Sequence, residues 1–281
     1  LVNWTIADMA TAVTHQDLNL NDGTTYYFSV RATDLVENIS EIATSSGITV
    51  DTIPPVINMI AEATDSDPLF QASDSSIVLF WDAVDDNSGI EYYEYSLGTS
   101  VGGTDIVEWN NAGTSDSATI ADLVLIEGAT YWGSVRAVDA AGNVIMAQGN
   151  GVTVDITAPE IGTVMDITDL DNTSDQGYTG SMTTLQSSWS GFADNLSGIA
   201  AYEYTVGTGE LQTDVKAWTM ASLDTSISDD SFSLGSGQIY HVSVRAVDNV
   251  GNLSTAISTN GIVADHVGPS GFSVMDGDSV D

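Results

Sequence analysis

The sequence predicts an all-β protein, a tandem of β-sandwiches in series. Three observations lead there. A long internal repeat runs through the chain, the apolar residues within it alternate with period two, and clusters of Gly, Asn, Asp and Ser separate the runs. Alternation marks strands with one buried face, and short strands joined by frequent turns bury that face by stacking two sheets.

The repeat is plain in three fifteen-residue stretches: LNDGTTYYFSVRATD (20–34), LIEGATYWGSVRAVD (125–139) and LGSGQIYHVSVRAVD (234–248). They lie 125 − 20 = 105 and 234 − 125 = 109 residues apart, and DDNSGIEYYEYSLGT (85–99) matches DNLSGIAAYEYTVGT (194–208) at an offset of 109. Trp4, Trp109 and Trp218 keep the same spacing. That period is too long for a solenoid turn and suits an autonomous domain. Each repeat closes on an Asp-to-Pro linker, DTIPP (51–55), DITAP (155–159) and DHVGP (265–269), which together hold four of the five prolines. Stiff extended linkers are where proline costs no ladder hydrogen bond.

In chain order, residues 1–51 are expected to be the C-terminal half of a sandwich repeat. Residues 56–155 and 160–265 are expected to be complete repeats, and 270–281 the first strand of another. Tyr26, Phe28, Val30 and Ala32 alternate with Tyr27, Ser29, Arg31 and Thr33, and the copy at Tyr240, Val242, Val244 and Ala246 does the same. An incomplete first repeat would leave Tyr26, Phe28 and Val30 exposed unless another chain covered them. Arg31, Arg136 and Arg245 fall on the outward face of this strand, and Glu94 and Glu203 on the outward face of its neighbour. Cross-strand pairs Glu94–Arg136 and Glu203–Arg245 follow.

The run Leu-x-x-Gly-x-x-Tyr (Leu20, Gly23, Tyr26; Leu125, Gly128, Tyr131; Leu234, Gly237, Tyr240) resembles the tyrosine corner of fibronectin type III domains. Trp81 and Trp189 are similar to the buried tryptophan of that family. The whole pattern resembles the fibronectin type III and Ig-like repeats of large bacterial surface, adhesin-like proteins. The resemblance implies tandem Ig-like/fibronectin type III β-sandwiches. It speaks to fold rather than function, since such modules serve as spacers, adhesins and enzyme accessories.

Composition narrows the function. Lys and Arg number 4 against 40 Asp and Glu, a net charge of −36. Such a surface repels phosphate and anionic headgroups, which argues against nucleic acid and direct membrane insertion and favours divalent cations. No apolar run is long enough for a membrane helix. No signal peptide is visible; the chain starts at Leu1 without Met, so a targeting segment removed or lying outside this piece is expected. With no cysteine, disulfides, thiolate metal sites and thiol nucleophiles are excluded. His15, His241 and His266 do not recur at equivalent positions and lack zinc spacing, and no carboxylate pair stands out for catalysis. No catalytic or cofactor-binding residue is assigned.

The fibronectin-like topology implied by the resemblance brings the Asp that ends one repeat toward two loops of the next. At the first junction these are Asp51, Asp85, Asp86 and Asp139; at the second, Asp155, Asp194 and Asp248. Converging carboxylates repel unless a cation lies among them, and calcium, which takes oxygen ligands in flexible geometry, is the expected ion. Asn87, Asn143, Asn195 and Asn252 stand by as further ligands, although Asp and Asn also simply form turns. A second acidic cluster, Asp65 and Asp67 with Asp166, Asp169, Asp171 and Asp175, follows the first strand of each repeat. Trp132 is expected on an outer face, and sequons stand at Asn3, Asn38, Asn172, Asn195 and Asn252.

The reading that results is a non-catalytic stalk or spacer of an extracellular or cell-surface adhesin, joined to neighbouring domains of a longer chain. Its further ligand is left among a host surface, a polysaccharide and a like subunit. The alternatives are a subunit of a self-assembling filament or surface layer, and an accessory region of a secreted polysaccharide-degrading enzyme.

Overall fold

The computed structural model describes residues 1–63, 66–170 and 174–271. Strands, turns and extended segments make up all of them, with no helix among the described residues. The chain divides into two compact units, one formed by 1–69, 75–123 and 130–152, the other by 70–74, 124–129 and 153 onward.

In the second unit, strand Leu185–Ser190 sits between Thr163–Ile167 and Ser226–Asp229 in one sheet. The other sheet runs in the order Tyr178–Thr179, Ile262–Ala264, Ile239–Asp248, Ile199–Gly207, Lys216–Met220, and Ile257–Ser258 also pairs with Ile239–Asp248. Pairing is antiparallel except where Tyr178–Thr179 runs parallel to Ile262–Ala264. The two sheets enclose one core in which Trp189, Tyr204, Val206, Val242 and Val244 are buried. Trp189 meets the ring of Tyr202 edge-on with centroids 5.7 Å apart. Side chains of this size contribute about 1.5–3 kcal/mol each when taken out of water.

The first unit repeats the plan. Ile77–Val84 lies between Val56–Glu62 and Ser117–Ile120, while Ile90–Gly98 pairs with Val107–Gly113 and with Thr130–Asp139. Leu79, Trp81, Leu97, Val135 and Ala137 are buried there. Earlier in the chain, Thr25–Tyr26 pairs with Ile48–Thr49 and Ser29–Val30 with Ala43–Thr44. Phe28 and Val30 are exposed, whereas Tyr26, expected to be exposed with them, is half-buried. The strand expected over 270–281 falls largely on 272–281, outside the described residues.

The tyrosine corner closes as the resemblance implies: the Asn21 N–H donates to the Tyr26 hydroxyl at 2.8 Å and the Gly235 N–H to that of Tyr240 at 2.9 Å. Arg136 and Glu94 are register partners whose charged ends meet at 3.4 Å. Arg245 and Glu203 do likewise at 2.6 Å. Each arginine also lies over the tryptophan of its own repeat, Arg31 over Trp4 at 4.4 Å, Arg136 over Trp109 at 3.8 Å and Arg245 over Trp218 at 4.3 Å.

Candidate metal centres

Three short segments build each carboxylate group. The first follows strand Ile77–Val84. Asp85 turns its Oδ2 back into its own loop and accepts the N–H groups of Asn87, Ser88 and Gly89 at 3.2, 2.9 and 2.7 Å. Gly89 adopts a φ of +77°, a left-handed turn that glycine enters without strain. Asp194 repeats this with Leu196 and Gly198 at 3.1 and 2.7 Å.

The second segment begins at the end of the long strand that carries the arginine. Asp139 Oδ1 accepts the N–H groups of Ala141 and Asn143, and Asp248 Oδ1 those of Val250 and Asn252. The third is the Asp that ends the repeat. Asp51 Oδ2 accepts the Ser88 N–H at 3.1 Å, and Asp155 Oδ2 the Ser197 N–H at 3.0 Å. Asn143 and Asn252 fasten the set, each Nδ2 donating both to the nearby aspartate (Asp139 or Asp248, 2.8 Å) and to the main-chain carbonyl of Asp51 or Asp155.

As a result, one carboxylate oxygen from each of Asp51, Asp85 and Asp139 lies within 4.8 Å of the other two, and the same holds for Asp155, Asp194 and Asp248. Like charges about 4 Å apart repel by about 4 kcal/mol per pair at an effective dielectric of 20. Asp139, Asp155 and Asp248 are buried, which weakens solvent screening. Asp155 Oδ1 is buried and has no hydrogen-bond partner in the protein. Hydrogen bonding, chiefly from the Ser88 side chain, holds the Asp51 carboxyl below the usual range against the opposing effect of burial. The donor set is all oxygen, which suits a hard divalent cation and disfavours zinc or copper.

Asp86 does not join this set. Asp85 beside it is drawn into the loop by three N–H groups, and Asp86 is left exposed. Asn143 and Asn252 act as donors through Nδ2 to the aspartates, and Asn87 Nδ2 donates to Asp22 Oδ2 at 2.9 Å. In the second acidic cluster Asp67 and Asp175 are tied to backbone and asparagine, and among the described residues no third carboxylate or imidazole completes a triad there. Asp65, Asp171 and the sequon residue Asn172 lie outside the described residues. His241 Nδ1 sits 3.0 Å from the Thr259 carbonyl, and Trp132 is half-buried against Gly151.

Two sites escaped sequence reading. Burial of Glu62 had no signal beyond one charged residue in an apolar run. The contact of Lys216 with Asp229 (2.6 Å) would have needed the strand register between repeats, since Val107 and Ile120 stand at those places in the other copy.

No family model matches the chain. It is 28% identical over 256 residues to exoglucanase B of Cellulomonas fimi, covering 88% of this chain and 21% of that protein. It is 33% identical over 161 residues to chitinase A1 of Niallia circulans, covering 56% of this chain and 20% of that protein. The chain thus spans about a fifth of the length of these relatives. Among solved structures, the fibronectin(III)-like modules of CbhA from Clostridium thermocellum align with a TM-score of 0.43 at 15% identity, over 74% of this chain and 94% of that one. The strand order, the closed tyrosine corners and the buried tryptophans make this chain a tandem of fibronectin type III-like β-sandwiches.

Proposed function

We propose that the chain is a non-catalytic extracellular spacer within a longer protein, with repeats at 56–155 and 160–265 clamped by calcium at the two aspartate triads. The unpartnered, buried Asp155 Oδ1 carries this reading. An uncompensated buried carboxylate oxygen beside two further carboxylates is costly unless a cation completes it. Asp51, Asp85 and Asp139 would hold one ion; Asp155, Asp194 and Asp248 would hold the other. Main-chain oxygens and water would supply the remaining ligands. Calcium suits these sites better than magnesium, which keeps several waters and demands stricter geometry. An ion shared between the closing Asp of one repeat and two loops of the next fixes the linker, as a spacer requires. The non-catalytic part rests on the site chemistry, since His241 and the triad aspartates are already engaged in turns and backbone contacts.

Calorimetric titration of the chain with calcium tests the clamp. Two sites are expected, and Asp51→Asn and Asp155→Asn should each weaken one of them at least tenfold while leaving the other. A chain that takes up no calcium at millimolar concentration sinks the clamp and leaves the spacer reading standing.

The names of the curated relatives, an exoglucanase and a chitinase, favour a second reading, in which the spacer belongs to a secreted polysaccharide-degrading enzyme. Co-sedimentation with cellulose and chitin, together with the full gene sequence, separates it from an adhesin stalk.

A further inference from the structure

We propose that each complete repeat stores a proton on a buried carboxyl, Glu62 beside the half-buried Asp67 and Asp166 beside the exposed Asp175, and that this proton fastens the repeat's first strand to the break in its last strand. Glu62 and Asp166 are both fully buried. No hydrogen bond of ordinary geometry reaches Glu62 Oε2 or either oxygen of Asp166. Their neighbours are supplied instead. Asp67 Oδ1 accepts the Glu62 N–H at 3.2 Å and its Oδ2 accepts Asn150 Nδ2 at 2.9 Å. Asp175 does the same with the Asp166 N–H at 3.0 Å and Asn260 Nδ2 at 2.8 Å. A buried carboxyl beside a second, more exposed one cannot ionise cheaply, and the more exposed one with donors keeps the charge. The fully buried one, less well supplied with donors, is therefore the neutral acid.

The two repeats build this pocket differently, which shows what is essential in it. A side chain at Gly149 would overlap the Glu62 carboxyl, and Glu62 Oε1 accepts the Gly133 N–H at 2.9 Å. In the other repeat Thr259 and Val242 stand at those positions, the acid is one carbon shorter, and Thr259 Oγ1 accepts the Val242 N–H at 3.1 Å. A hydroxyl has thus taken over the backbone bond, yet a buried acid is still there. Capping that amide is not its purpose. The place is the crossing where Thr163–Ile167 leaves one sheet, Tyr178–Thr179 joins the other, and the last strand breaks between Ile257–Ser258 and Ile262–Ala264.

Burial pushes Asp166 up to about 7, Asp175 adds to the rise, and the Thr259 hydroxyl, the Gly261 amide and His241 oppose it. Strand Leu185–Ser190, packed beside it, offers no titratable side chain. Burial raises Glu62 as well, with Asp67 adding to it and the Gly133 and Gly151 amides opposing. A carboxyl raised above its ordinary value stabilises the fold most at low pH, and that contribution is lost as pH climbs from the ordinary carboxylate range through about 7.

The test compares thermal midpoints of the chain and of Asp166→Asn, which keeps the shape and cannot ionise, from acid to mildly alkaline pH in chelator and in calcium. The variant should gain several degrees on the parent as pH rises from the ordinary carboxylate range to about 7, with no further gain above that, equally in both media. Parallel curves overturn the proposal, and a difference that follows calcium rather than pH replaces the proton with a cation. Glu62→Gln provides the same comparison in the other repeat should Asp166→Asn fold poorly. Infrared spectra at pH 6 supply a direct reading: the carbonyl band of a protonated carboxyl should weaken in each variant, and its absence from the parent overturns the proposal.

Discussion

At the scale of single residues, four bases among forty acids are few enough for each to have a traceable partner. Arg245 is held in two ways, by the Glu203 carboxylate at 2.6 Å and by the Trp218 ring at 4.3 Å. The carboxylate partner was legible from strand alternation. The ring was not, although Trp4, Trp109 and Trp218 keep the period of the arginines, because alternation gives a face and not the strand beside it. A cation over a half-exposed ring is worth about 0.5–1 kcal/mol. Trp218→Ala should therefore lower stability by about that amount in urea denaturation, with Arg245 retained. Arg245→Lys should lose part of the same energy, because an ammonium cannot lie flat on the ring while bridging to Glu203.

At the scale of strands, the contrast between the two repeats supplies its own control. Lys216 faces Asp229 at 2.6 Å, and the Tyr204 hydroxyl donates to the same carboxylate at 2.7 Å. Burial alone would raise Asp229, but hydrogen bonds from Lys216, Ser231 and Tyr204 overcome it and hold the carboxyl well below its ordinary value. The resulting stability is present above the ordinary carboxylate range and lost as pH falls below it. Lys216→Val leaves Asp229 without its cation and should cost about 1.5–3 kcal/mol, the range for hydrogen bonds to charged groups. The double change Lys216→Val with Asp229→Ile copies Val107 and Ile120 of the other repeat. It should recover most of that loss, because apolar packing often equals a buried ion pair. Chemical denaturation of the three proteins decides it, and a double variant as weak as the single one would contradict the argument. Period two and the repeat offset disclosed the strands and their faces in the sequence. Partners such as Lys216 with Asp229 depend on which strands lie side by side, and the burial of Glu62 depends on a gap left by Gly149 nearly ninety positions away.

At the scale of the whole molecule, a charge of −36 sets every carboxylate in a common repulsive field. Salt screens that field over about 10 Å at 0.1 M. Simple salt should therefore raise the melting temperature steadily and then level off, by an amount that depends on ionic strength alone. The triads behave differently, because three carboxylates within 4.8 Å and partly shut off from water are poorly screened by mobile ions. The clustering of the triad aspartates was legible because the turns that place them, Asp-x-x-Ser-Gly and Asp-x-x-Gly-Asn, recur with the repeat; which of the adjacent Asp85 and Asp86 the turn captures is not written in the sequence. Calcium at a concentration a hundredfold above its dissociation constant adds about 2.7 kcal/mol for each site it fills. Millimolar calcium should accordingly raise the melting temperature beyond sodium chloride of equal ionic strength. In chelator, the double variant Asp51→Asn with Asp155→Asn should melt no lower than the parent, since each triad has lost a charge, and it should show no calcium-specific rise. An equal calcium response in parent and double variant would place the ions elsewhere on the acidic surface.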